Sequence, residues 1–142
     1  MGVSLPSYLL PGRVIFILMT AQLTISGDVV RGKGEARLLG YPTANIEYLS
    51  EQTPEAGVWI AEVTWDDQSI VGLAVVDMWK QENGLPSVEV HLLDIEQDLY
   101  GKRLTLTFKK YVRALKNVAS IEELKALIAT DVAKAHAYQL GI

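Results

Sequence analysis

Apolar and polar residues alternate with a period of two along much of this chain, then switch to a helical period near its C-terminal end. The clearest run is GVWIAEVTW, Gly57–Trp65. Trp59, Ala61, Val63 and Trp65 share one face, and Val58, Ile60, Glu62 and Thr64 share the other, as in a strand. Asp66-Asp67-Gln68-Ser69 reads as a hairpin turn into a second apolar strand over 70–78. Gly72 inside that strand marks a bulge or a close approach. After a polar loop over 80–86, SVEVHLL forms a third strand over 87–93. Over 102–112, Leu104, Leu106 and Phe108 alternate with Thr105, Thr107 and Lys109. Upstream, 21–31 reads as a half-buried strand, and 50–54 has loop chemistry.

Ser120-Ile121-Glu122-Glu123 is a capping box. Ile121, Leu124, Leu127, Ile128, Val132 and Ala135 then recur at helical spacing and predict one apolar stripe. The helix is expected to reach about Tyr138, with Gly141 beyond its end. Short strands with tight turns and no intervening helices favour a small closed antiparallel barrel, here followed by one amphipathic helix.

Length and composition refine this picture. The 142 residues, 49% of them hydrophobic and 21% charged, fit one globular domain with a real core. A net charge of −4 argues against a nucleic-acid-coating role. There is no cysteine, so no disulfide framework, which fits a cytoplasmic setting. Two histidines, His91 and His136, do not suffice for a multi-histidine metal centre. Residues 1–20 fit poorly with the rest: Pro6, Pro11 and Gly12 precede an apolar run over 14–19 that is too short to span a membrane or act as a signal peptide. They are expected to be a leader, an extra strand, or the product of a start site ahead of Met19. The domain is expected over 21–142.

The candidate chemistry gathers in GDVVRGKGEARLLGYPTAN, 27–45. Gly32 and Gly34 allow a loop whose N–H groups can cradle an anion, and Lys33 and Arg37 add positive charge. Thr43 and Asn45 alternate across Ala44, so in a strand both point to one side. A hydroxyl and an amide oxygen so placed suit a hard cation such as Mg²⁺ shared with phosphate. An ordinary glycine turn followed by a proline turn explains the same residues, and the spacing is not that of a Walker loop. Glu89 lies between Val88 and Val90 on a face shared with His91. It is either an outward strand residue or a general base for a hydroxyl. His91 is either a strand-face residue or a partner of Glu89. Trp59 and Trp65 read as core, and Asp131 as a solvated helix residue beside Lys125 or Lys134.

Taken together, GDVVRGKGEARLLGYPTANI, GVW, VEVHLLDIEQDLYGKRLTLTF, Arg113 and SIEELKALIATDVAKA resemble the riboflavin kinase (flavokinase) family over roughly 27–135. The resemblance implies a six-stranded antiparallel Greek-key β-barrel with a C-terminal helix. It implies transfer of the γ-phosphate of Mg-ATP to the 5′-hydroxyl of riboflavin, giving FMN. It places ATP and Mg²⁺ at Gly32, Gly34, Arg37, Thr43 and Asn45, with Tyr100 framing the nucleotide. It makes Glu89 the catalytic base and puts the flavin near Arg113. The sequence departs from the family on the flavin side: the loop after the second strand lacks Asn-Pro, and the positions two and five after Arg113 hold Leu115 and Val118. Trp79 and Met78 are candidates to replace those contacts. A non-catalytic flavin- or nucleotide-binding barrel is the alternative. The expected form is a cytoplasmic monomer without nucleic-acid or membrane partners.

Overall fold

The computed structural model describes residues 22–31 and 40–142, and the side chains of all of these except Trp79 and Lys80. The expectations for 1–20, Gly32, Gly34 and Arg37, and for the Trp79 side chain, lie outside the described residues.

Asp66 and Asp67 both adopt positive φ, 44° and 65°. That is the backbone a two-residue type I′ hairpin requires, and Trp65 pairs directly with Gln68 across it. Asp tolerates the left-handed region because its short polar side chain bonds locally. The turn joins β3 (Gly57–Trp65) to β4 (Gln68–Lys80). With β1 (Thr24–Val30), β2 (Ala44–Tyr48), β5 (Pro86–Leu92) and β6 (Arg103–Arg113), they close a barrel in the order β1-β2-β5-β4-β3-β6. Strand β6 returns beside β3 after the β3-β4-β5 meander, which is a Greek key. Closure leaves no sheet edge to template aggregation.

The barrel interior follows the period-two pattern. Ala61, Val63 and Trp65 of β3 meet Ala74 and Val76 of β4, Val88 and Val90 of β5, and Leu104, Leu106 and Phe108 of β6. Gly72 is a close approach, as its position suggested: a Cβ there would come within 2.9 Å of both the His91 carbonyl oxygen and the Val90 side chain. The alternation in β6 holds only as far as Phe108. Beyond it, two register shifts set Tyr111 opposite Trp59 and Arg113 opposite Val58. Bulges of this kind re-aim side chains. Here they stack Trp59 edge-on against both Phe108 and Tyr111.

Outside the barrel, Val58, Ile60, Leu73 and Leu93 form a second apolar patch. The helix α1 (Ile121–Gln139) covers it through Val132 and Ala135. Ser120 caps α1 by accepting from the Glu123 N–H at 3.1 Å, and Glu123 accepts in return from the Ala119 N–H. At the far end Gly141 has φ +78°, and Ile142 and Gly141 donate to the Ala137 and Tyr138 carbonyls. That is a Schellman stop. The apolar stripe is only partly used. Leu124, Leu127 and Ile128 stay half-buried and Ile121 is 60% exposed, because the barrel's outer patch lies under the C-terminal half of α1. Asp131 also departs from expectation. It is 3% exposed and faces the barrel, not solvent.

Candidate active site

Strand β2 opens inside the Pro42-Thr43-Ala44-Asn45 segment. Ala44 and Ile46 turn toward the barrel core, so Asn45 turns outward. Asn45 pairs with Val30 of β1 on one side and Glu89 of β5 on the other. On β5, Val88 and Val90 are each 1% exposed and fill the interior. Glu89 and His91 are therefore on the outer face, both half-buried. Residues directly opposite in an antiparallel pair carry Cβ atoms about 5 Å apart. The register thus sets the Asn45 amide beside the Glu89 carboxylate on one surface.

His91 secures the start of this segment. Its Nδ1 lies 2.8 Å from the Pro42 carbonyl oxygen, and its ring meets the Tyr41 ring edge-on at 5.4 Å.

The acidic connection between β5 and β6 supplies the opposite wall. Asp98 accepts from the Tyr100 N–H at 2.9 Å, the Lys102 N–H donates to the Leu99 carbonyl, and Gly101 takes φ +82°. The Asx bond and the left-handed glycine make Asp98-Leu99-Tyr100-Gly101 a tight turn. Leu99 anchors it in the core, and Gly101 bonds the Val29 carbonyl. Tyr100 is left exposed over a cavity of about 680 Å³. Thr43 and Asn45 line the same cavity, with Asp98 and Glu96. Of the residues singled out from the sequence, the structure brings Thr43, Asn45 and Tyr100 together here.

Arg31 is a wall residue that the sequence reading passed over. Its guanidinium carbon sits 4.4 Å from the centroid of the Tyr100 ring, within cation–π range. The available signal was a cation at the last position before the glycine loop.

Glu89 and Arg113 do not line this cavity. They are linked by register: Glu89 pairs with Val75, Val75 with Val58, and Val58 with Arg113. Three strand spacings of about 4.8 Å separate them on one outer face. Arg113 is tied to the helix. Its Nε donates to both Asp131 carboxylate oxygens at 3.0 and 3.1 Å, its Nη2 to Oδ2 at 2.7 Å, and its Nη1 to the Ala114 carbonyl at 3.1 Å. A planar fork suits such a bidentate partner. The expected flavin arginine is thereby also the clasp between barrel and helix. Met78 of β4 is 67% exposed.

The loop that lacks Asn-Pro is held another way. Gln81 accepts from the Tyr48 N–H and donates to the Tyr48 carbonyl, which also accepts from Asn83 at 2.8 Å. Tyr48 donates its hydroxyl proton to the Pro86 carbonyl at 2.8 Å, and burial pushes its phenol pKa up. Among the described residues, no three or more His, Asp or Glu side chains group as a metal cage. No helix among them is long and apolar enough to cross a membrane.

Comparison with known proteins adds an independent line. The family model for riboflavin kinase (flavokinase) matches residues 19–139. A bifunctional riboflavin kinase/FMN adenylyltransferase from Pseudomonas fluorescens is 39% identical over 122 residues, which cover 84% of this chain and 39% of that protein. The chain thus spans about two fifths of the length of such relatives. Among solved structures, a Streptococcus pneumoniae protein described as a macrolide-efflux protein superposes with a TM-score of 0.75 at 28% identity, covering 84% of this chain and 40% of the other. The riboflavin kinase from Trypanosoma brucei shares the fold, with a TM-score of 0.57 at 20% identity, covering 81% of this chain and 78% of the other.

Proposed function

The chain belongs to the riboflavin kinase family, and from that premise we propose that it moves the γ-phosphoryl group of ATP to the 5′-hydroxyl of riboflavin, giving FMN and ADP. The observation that carries this reading is the pairing of Asn45 with Glu89. It supports the reading by setting a neutral amide beside a carboxylate on a single surface.

Phosphoryl transfer is mostly positioning and charge neutralisation. In the proposed reaction Glu89 takes the proton from the riboflavin 5′-hydroxyl. The freed oxygen forms a bond to the γ-phosphorus, the bond from that phosphorus to the β–γ bridging oxygen breaks, and ADP leaves. The nucleotide occupies the cavity walled by Thr43, Asn45 and Tyr100, and the glycine loop with Gly32, Gly34 and Arg37 cradles its phosphates. Thr43 and Asn45 fit Mg²⁺, because both offer neutral oxygen donors on one cavity wall and this ion commonly completes its shell with phosphate oxygens and water. When bound, the ion neutralises charge on the phosphates. Arg113 and Trp79 border the flavin, with Arg113 oriented by Asp131. The working form is a cytoplasmic monomer.

Incubation of the pure protein with riboflavin and Mg-ATP, followed by separation of the flavins, tests the reading. FMN should accumulate with one ADP per FMN. Binding of both ligands without FMN formation would instead assign the chain to the non-catalytic barrel class.

A further inference from the structure

We propose that His91 is a positioning residue for the cation-binding segment: its Nδ1–H clamps the Pro42 carbonyl and so fixes Thr43 and Asn45 relative to Glu89. The kinetic consequence rests on the kinase reading above; the clamp itself does not.

A carbonyl oxygen only accepts, so the 2.8 Å contact requires the hydrogen on Nδ1. The bond fixes the tautomer of His91 and, when the ring is neutral, leaves only Nε2 as an acceptor. The bond also joins residues 49 positions apart in sequence, tying β5 to the segment that leads into β2. Pairing between β2 and β5 is in register from Ala44 onward, so the Pro42 carbonyl lies two residues before that ladder and finds its partner in a side chain. Tyr41 adds a second contact, its ring perpendicular to the imidazole at 89°. Two consecutive rim residues are therefore held by one side chain.

That side chain is two residues from Glu89 on the same face of β5, about 7 Å along the strand. One strand face presents both the proposed base and the clamp on the segment that holds the nucleotide's cation. Ala44 pairs with Val90, so His91 is the next residue of β5 past the paired ladder and lies beside the segment that leads into β2. With Nδ1–H committed to a backbone carbonyl, Nε2 is the one ring nitrogen left to exchange a proton with a neighbour.

Two readouts need no ligand. In the parent protein, imidazole ¹⁵N spectra should show a hydrogen on His91 Nδ1. Amide exchange at Ala44 and Asn45 should speed up roughly 3- to 10-fold in His91→Ala, the usual weight of one hydrogen bond. It should return toward the parent rate in His91→Asn, whose side-chain N–H can stand in for Nδ1–H. In turnover, His91→Ala should raise KM for Mg-ATP by a similar factor, with kcat changed less and the riboflavin KM unchanged. An unprotonated Nδ1 in the parent, or unaltered exchange at Ala44 and Asn45 in His91→Ala, overturns the proposal even if the parent makes FMN. Altered exchange and rescue by Asn in a protein that makes no FMN uphold the clamp and sink the kinase reading instead. If His91→Ala does not fold, the parent's ¹⁵N signature and exchange in His91→Asn decide.

Discussion

Asn45 and Glu89 face each other across β2 and β5, each the direct register partner of the other. The pairing gives the proposed acid–base and cation groups a common rigid support. Two hydrogen-bonded strands cannot slide by one residue without turning Ile46 and Val88, both buried, out of the core. The spacing between the two side chains is thus protected by the barrel core itself.

Glu89→Gln keeps the shape and removes the proposed base. Turnover should fall by roughly 10²–10⁴, the usual worth of a positioned base. Affinity for Mg-ATP and for riboflavin should stay near that of the parent in calorimetric titrations. Near-normal turnover would return Glu89 to an outward strand residue.

Thr43→Ala and Asn45→Ala remove oxygen donors from the cavity wall. Each should weaken ATP binding by roughly tenfold or more when Mg²⁺ is present, the scale of a hydrogen bond to a charged group. Without Mg²⁺ the loss should be much smaller. Equal losses with and without the ion would mean that these residues touch the nucleotide alone.

Asp131→Ala strands the Arg113 guanidinium, whose side chain is 21% exposed, beside an emptied site. Breaking one partner of a buried pair costs about 3–5 kcal/mol, and the partial exposure of Arg113 favours the lower end. Denaturant unfolding should show the loss. The Arg113→Ala/Asp131→Ala double variant should lose less than the two single losses added together.

Tyr48 links the interior to the start of β5 through its bond to Pro86. Burial raises its folded pKa above the ordinary value of a phenol. The neutral phenol is therefore the stabilising form. Its contribution is complete below the unfolded pKa and is lost as pH rises through the folded one. Tyr48→Phe should cost about 1 kcal/mol at neutral pH through the lost hydrogen bond. It should also flatten the decline of melting temperature above pH 10. A parent and variant that decline in parallel there would place the alkaline sensitivity elsewhere.

Riboflavin should quench tryptophan emission mainly through Trp79, because a flat aromatic surface suits stacking with another. Titration of parent and Trp79→Phe in the presence of Mg-ADP compares them directly. Quenching of equal depth in both would remove Trp79 from the pocket.

Much of this was legible from local pattern. The Gly57–Trp65 strand, the Asp66-Asp67 turn, the Ser120 cap and the Gly141 stop depend on residues within a few positions of one another. Dihedral preference and side-chain period decide such features before any tertiary contact forms. The alternation around Glu89 likewise determined that it shares a face with His91.

The tertiary structure alone decided which face meets which partner. A period of two separates the sides of a strand but does not say which strand lies alongside. Barrel closure set Asn45 opposite Glu89. It left Leu124 and Leu127 half-buried where the sequence promised a continuous stripe. The bulges of β6 lie where its alternation fails, and they return Tyr111 to Trp59. Asp131 read as a surface carboxylate because its partner, Arg113, is 18 residues away on another element. Arg31 and Tyr100 meet only because the β5–β6 connection folds back against β1. Such contacts require loop closure over long sequence separations, and their reward comes from burial that only the closed barrel provides.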